Sequence, residues 1–213
     1  MTYQPTEPPR DCSLCPRLAD FRAVNAAGEP GWFNAPVPSF GDPAARLLIV
    51  GLAPGLKGAN RTGRPFTGDY AGDLLYHTLL AVGFAEGRYD RRPDDGLRLI
   101  DCMITNAVRC VPPQNKPIGA EMTACRGFLA ATIGALQNLE FILALGRIAH
   151  ENVLSALGER RAAHPFRHGA LHRLADPRIL ADSYHCSRYN TNTGRLTPKM
   201  FRAVFDEVRA RLD

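Results

Sequence analysis

Lysine is scarce in this chain. Of 26 basic residues among 213, only Lys57, Lys116 and Lys199 are lysine. The rest are arginine, which suits planar phosphate recognition, although a GC-rich genome produces the same bias. Long apolar runs are missing too: none approaches the ~18 residues that a membrane span needs. The N-terminus, Met-Thr-Tyr-Gln-Pro-Thr-Glu-Pro-Pro, lacks the hydrophobic segment of a secretory signal. A cytoplasmic chain is therefore expected. Internal repeats and domain linkers are absent as well, so residues 1–213 read as one domain, long enough to bury a sizeable core. Residues 1–10, proline-rich and without periodicity, read as a loose arm. The glycine spacing of a P-loop or a dinucleotide fingerprint is also lacking.

What is present is a net charge of +5 and a pI near 9.0, which favours a polyanionic partner. Six cysteines stand at 12, 15, 102, 110, 125 and 186. In a reducing cytosol a metal site explains them better than disulfides. Cys12 and Cys15 form a C-x2-C pair, and Cys110 and Cys125 a wider one. Four thiolates fit zinc or an iron–sulfur cluster, and the spacing by itself favours zinc. Cys102 reads as core, and Cys186 as packing or site wall.

The chain is organised around Gly51-Leu-Ala-Pro-Gly55 and the glycine-rich stretch that runs on to Asp69. An apolar run, Leu47 to Val50, precedes it as a buried strand, and a helical pattern over 70–83 follows. Further apolar runs predict strands at 100–108, 141–146 and 179–184. Helices are predicted at 16–26, 120–136 and 148–157, and an amphipathic one after Pro198 buries Phe201, Val204, Phe205 and Val208. Residues 158–178 read as irregular. Strands alternating with helices predict a parallel sheet covered on both faces, an α/β/α sandwich with four central strands.

In such a sheet the loops leaving the strand ends converge on one edge. They bring Phe66 and Asp69 from the first strand, Asn106 and Asn115 from the second, and His185, Ser187, Arg188, Asn190 and Asn192 from the fourth. Phe can stack on a planar ring and Asn can read a base edge. Asp and His in one cleft suit hydrolysis, with Asp orienting water and His steadying an oxyanion. Asp69 equally suits the N-cap of the following helix. His164, His168 and His172 imitate a helical metal face, but Pro165 and Gly169 argue against a helix, so they read as an exposed basic loop.

These motifs resemble the uracil-DNA glycosylase superfamily, and within it the iron–sulfur family 5, or type-b, group. The resemblance rests on Gly51 to Gly55, on Gly58-Ala-Asn-Arg-Thr-Gly-Arg-Pro-Phe-Thr-Gly-Asp69, and on Tyr184-His-Cys-Ser-Arg-Tyr-Asn-Thr-Asn-Thr-Gly-Arg-Leu-Thr197. Pro36 to Pro43, Val108 to Pro117 and His164 to Gly169 extend it over nearly the whole chain.

The resemblance implies a [4Fe-4S] cluster on Cys12, Cys15, Cys110 and Cys125, in place of zinc, with a structural role. It implies a monomer acting on damaged double- and single-stranded DNA. Leu52 and Ala53 stand where other families carry a polar residue, so the resemblance passes water positioning to Asp69, with Asn115 and His185 beside it. A flipped base is expected against Gly51, Ala53, Gly55, Phe66 and Asn106. Lys57, Arg61, Arg64, Ser187, Arg188, Asn190 and Arg195 are expected on the DNA. Small residues at 53 and 55 suit uracil and also hypoxanthine, xanthine or ethenocytosine. Two other readings compete: a zinc-stabilised hydrolase of free nucleosides or nucleotides, and a lesion-binding module without catalysis.

Overall fold

A computed structural model describes residues 7–213. In chain order its elements are α1 (Pro16–Gly28), β1 (Phe40–Gly41), β2 (Leu47–Gly51), α2 (Ala59–Thr62), α3 (Tyr70–Ala81), β3 (Ala85–Glu86), β4 (Arg98–Leu99) and β5 (Cys102–Asn106). Then come α4 (Gly119–Ala135), β6 (Phe141–Leu145), α5 (Arg147–Leu157), β7 (Leu171–Arg173), β8 (Ile179–Ser183), α6 (Arg188–Asn192) and α7 (Pro198–Leu212). The main sheet has the order β1-β5-β2-β6-β8-β7. Its four central strands are parallel, and β1 and β7 close the two edges antiparallel.

The central strands carry unbroken apolar runs because both their faces are covered. Along β2 the side chains alternate between two cores. Leu47 and Ile49 pack with Leu75 and Leu79 of α3 and Phe201 and Phe205 of α7. Leu48 and Val50 pack with Leu129 and Ile133 of α4 and Val153 of α5. The three-layer expectation holds, with two edge strands beyond the four. The edges escaped because they are two and three residues long and owe their form to pairing with distant strands. Gly41 (φ 135°) lies so close to the Cys102 carbonyl that no β-carbon would fit.

Residues 158–178 are less irregular than expected: they contain a 3-10 turn at Arg161–Ala163 and strand β7. The expected arm is also partly corrected. Residues 1–6 lie outside the described part, but the stretch after them is tied down. Glu7 bonds the Arg109 guanidinium at 2.7 Å and Ser39 N–H at 3.2 Å, and Arg10 lies over the Phe33 ring. The central order reverses between β2 and β6, since the chain moves outward to β5 from one and to β8 from the other. The crevice at that switch point, outside the carboxyl ends, is where open sheets take ligands.

Candidate active site

A cleft of about 390 Å³ opens at this switch point. Its walls include Leu52, Ala53 and Gly55 from the loop after β2, Phe66 and Asp69 further along that loop, and Asn106, Asn115 and His185 from other strand ends. Parallel pairing sets Asn106 directly beside Gly51. A β-carbon at Gly51 would strike both the Asn106 carboxamide and the Phe66 ring. Glycine there is what lets the two side chains close over the strand end.

Asn106 is 2% exposed, and its Oδ1 has no hydrogen-bond partner among the described residues. A buried unpartnered acceptor costs ~1–3 kcal/mol. Such an atom at a cleft wall invites an N–H from a ligand.

Phe66 sits in the left-handed region (φ 53°), a conformation that costs a bulky side chain ~1–3 kcal/mol. Its surroundings impose it. Tyr76 donates to the Pro65 carbonyl at 2.6 Å, and Gly72 approaches the Phe66 carbonyl too closely for any side chain. The ring lies 6.0 Å from the His185 ring, tilted by 32°.

Asp69 meets the geometry of both roles that the sequence presents as alternatives. Oδ1 accepts the Gly72 N–H at 3.0 Å and caps α3. Oδ2 lies against Gly55 and Gly58, close enough that a β-carbon at Gly55 would stand 2.9 Å away, and the carboxyl also lines the cleft. Burial pushes its pKa up, against the lowering effect of the Gly72 N–H. His185 makes no side-chain hydrogen bond among the described residues, and burial pulls it down to about 4. At neutral pH it is therefore an uncharged imidazole with one N–H to donate.

Asn115 stands at the exposed mouth of the cleft on a 3-10 turn, again with positive φ (57°). Lys57 and Arg61 are exposed on the stretch between Gly55 and Phe66, and Arg188, also exposed, lines the cleft. Arg188 lies over Tyr70 at 5.3 Å. Ser187 caps α6, and Asn190 donates to the His185 carbonyl at 2.8 Å, so both shape the loop as well as facing outward. Arg195 stacks on Tyr184 at 4.6 Å in an adjoining groove.

Arg64 must be taken off the rim. It is 4% exposed, paired bidentately with Asp95 at 2.8 Å, bonded to Thr67 and enclosed by Phe40, Tyr76 and Tyr89. Its guanidinium braces the loop and has none left for a phosphate. Arg147 was missed. It opens α5 immediately after β6, exposed beside Phe166 in the same groove as Arg195. The signal was the third strand end, where Gly146-Arg147 stands.

Behind the cleft, Cys12, Cys15, Cys110 and Cys125 line one small cavity walled by Leu14, Leu18, Val108 and Phe128. Arg22 donates to Cys110 Sγ at 3.0 Å and to the Cys12 carbonyl at 2.7 Å. The Arg109 N–H donates to Cys125 Sγ at 3.3 Å. Burial pushes Cys110 up to about 11 and raises Cys15 and Cys125. A bound cation offsets that penalty. Among the described residues, His150, His172 and Asp182 bring their donor atoms within 4.8 Å of one another, and no three of these cysteines do so. A tetrahedral zinc with bonds of ~2.3 Å draws its sulfurs to ~4 Å. Four thiols around one small cavity are a donor set that fits an iron–sulfur cluster.

The family model described as the uracil DNA glycosylase superfamily matches residues 38–209. The chain belongs to that superfamily. It is 48% identical to the type-5 uracil-DNA glycosylase of Thermus thermophilus, over 93% of this chain and 92% of the relative. It is 41% identical to the type-5 enzyme of Mycobacterium leprae, over 93% and 90%. To that of Pyrobaculum aerophilum it is 38% identical, over 94% and 88%. No helix among the described residues is long and apolar enough to cross a membrane.

Proposed function

We propose that this chain is a monofunctional uracil-DNA glycosylase, hydrolysing the N-glycosidic bond of deoxyuridine in DNA and leaving an abasic site. The observation that carries the reading is the unpartnered Asn106 acceptor, buried beside Phe66 and His185 in a cleft with Asp69 at its wall. A pyrimidine extruded from the helix stacks on Phe66 and presents an N–H and a carbonyl to the Asn106 carboxamide. Its departure leaves negative charge on the base. Neutral His185 donates to that charge, and backbone N–H groups of the Gly51–Gly55 loop add to it. Positive charge developing on the sugar is met by the free side of the Asp69 carboxylate, which also holds the attacking water, with Asn115 at the mouth. Lys57, Arg61, Arg188, Arg147 and Arg195 take phosphates, Ser187 and Asn190 face the strand, and the small side chain of Ala53 at the cleft wall leaves room for hypoxanthine, xanthine or ethenocytosine.

Cys12, Cys15, Cys110 and Cys125 are the residues that hold a [4Fe-4S] cluster. Bound there, it supplies a cross-link between the segment before α1 and the loop and helix at 110–125. We place the protein in the cytoplasm as a monomer on double- or single-stranded DNA. Release of free uracil from a uracil-containing duplex, with none from deoxyuridine, is the expected result. Cleavage of the free nucleoside would favour the nucleoside hydrolase, and binding without release the lesion-binding module. Iron and acid-labile sulfide in the purified protein, rather than zinc, test the cluster.

A further inference from the structure

Outside the cleft, buried polar side chains gather around Asp182 on β8. Its carboxylate is wholly inaccessible and fully engaged. Oδ1 accepts from His150 at 2.6 Å, and Oδ2 accepts from His172 at 2.9 Å and from the Arg167 N–H at 3.2 Å. The other nitrogen of His150 donates to the His164 carbonyl at 2.8 Å. The Asp182 carbonyl accepts the Gly169 N–H at 2.8 Å. Two histidines and a carboxylate suggest a metal, but the 2.6 Å contact is a hydrogen bond, tighter than the ~3.3 Å that separates two ligands ~2.0 Å from a tetrahedral ion. The hydrogen bonds are already complete. The cluster is a brace, and residues 164–172 are what it holds. The basic loop expected from the sequence is in fact half-buried around this carboxylate.

In the middle of that segment stands His168. Its Nδ1 accepts the Tyr184 N–H at 3.1 Å. Its ring stacks on Tyr184 with centroids 5.0 Å apart and planes 14° apart. Tyr184 lies one residue past the last ladder pair, Leu145↔Ser183, and one residue before His185. The sheet has therefore let go of the chain where the histidine needs to be aimed, and the His168 ring replaces it.

We propose that His168 is a positioning residue for His185: its unprotonated Nδ1 anchors the Tyr184 amide and so fixes the His185 ring against Phe66. The proposal rests on the reading that His185 faces the departing base. An anchor of this kind works only while Nδ1 is free to accept. Protonation places a second donor against the Tyr184 N–H and breaks the contact. Burial keeps the His168 pKa below the usual histidine value, while Asp182 on β8 and the Met200 backbone on α7 pull it back up. The other charged groups at this face are Arg195, stacked on Tyr184, and Arg147 of α5, over Phe166 in the same groove. His185 itself stays neutral down to about 4. Above that pH two groups of the site titrate, the Asp69 carboxyl, which burial raises, and His168, and the part of the acid limb that His168→Asn moves belongs to His168.

Two variants test this. His168→Ala removes the acceptor. His168→Asn offers an amide oxygen near the position of Nδ1 and does not titrate. Single-turnover uracil release should fall on the order of 10-fold in His168→Ala, with unchanged affinity for an abasic duplex and faster hydrogen exchange over residues 184–186. His168→Asn should recover the neutral-pH rate and move the acid limb to lower pH. An unmoved acid limb in His168→Asn overturns the proposal, as does a wild-type rate in His168→Ala. Should His168→Ala not fold, the acid limb of His168→Asn decides alone. Wild-type release by His185→Ala would instead overturn the role given to His185, and this proposal with it, whatever the exchange data show.

Discussion

The cleft and the Asp182 brace are both buried and polar, three residues apart along β8 and the loop that follows it, and they are built on opposite terms. In the brace, both carboxylate oxygens and both ring nitrogens of His150 have partners within hydrogen-bond reach. In the cleft, Asn106 Oδ1 and the His185 ring have none among the described residues, and Phe66 is held in a strained backbone region. Satisfied burial stabilises a fold, whereas unsatisfied burial lowers stability and leaves hydrogen bonds for a ligand to complete. The two regions should therefore respond to truncation in opposite currencies, stability in one and turnover in the other.

The largest effect should come from the brace. Asp182→Ala leaves buried His150, half-buried His172 and an amide without their acceptor, and loss of one partner of a buried pair costs about 3–5 kcal/mol. Denaturant titration should show it, and a loss under ~1 kcal/mol would break the contrast. Asn106→Ala should do the reverse. It removes an unpartnered amide, so stability should hardly fall, while uracil release drops roughly 10- to 100-fold, the worth of one bidentate base contact. Asp69→Asn sharpens the contrast within a single residue. Asn caps as well as Asp, so the melting temperature should hold while single-turnover release falls at least ~10-fold. Retained rate would return Asp69 to the cap alone.

The smallest effect separates two arginines three residues apart. Arg61→Ala should reduce the salt slope of DNA binding by about 1, the share of a single phosphate contact. Arg64→Ala should leave that slope alone and lower stability instead, because its guanidinium belongs to Asp95.

That pair also shows what a sequence can and cannot display. The central strands and long helices were legible because their apolar periodicity is local: Leu47 to Val50 or Phe201 to Val208 declare themselves within one window. The cleft was legible because strand-end loops converge wherever the sheet is parallel. Arg64 was not, since its partner lies 31 residues on and no local pattern links them. Pro165 and Gly169 rightly argued against a helix through the three histidines. The carboxylate that organises them comes from β8, brought there by sheet pairing alone. The double placement of Asp69 was invisible for a different reason: one carboxylate has two oxygens, and only coordinates show one on the α3 cap and the other beside Gly55 and Gly58.

The placement of the four thiols has a consequence for biosynthesis. Arg22 joins the Cys12 carbonyl to Cys110 Sγ, so the segment before α1 closes onto residues that leave the ribosome much later. At about 5–20 residues per second, the first cysteine pair waits several seconds for the second. Throughout that interval its thiols are open to oxidants and stray metals. The cluster proposed for this corner could be completed only after Cys125 has emerged, while β6, β8 and α7 are still to be added to the sheet and its cover.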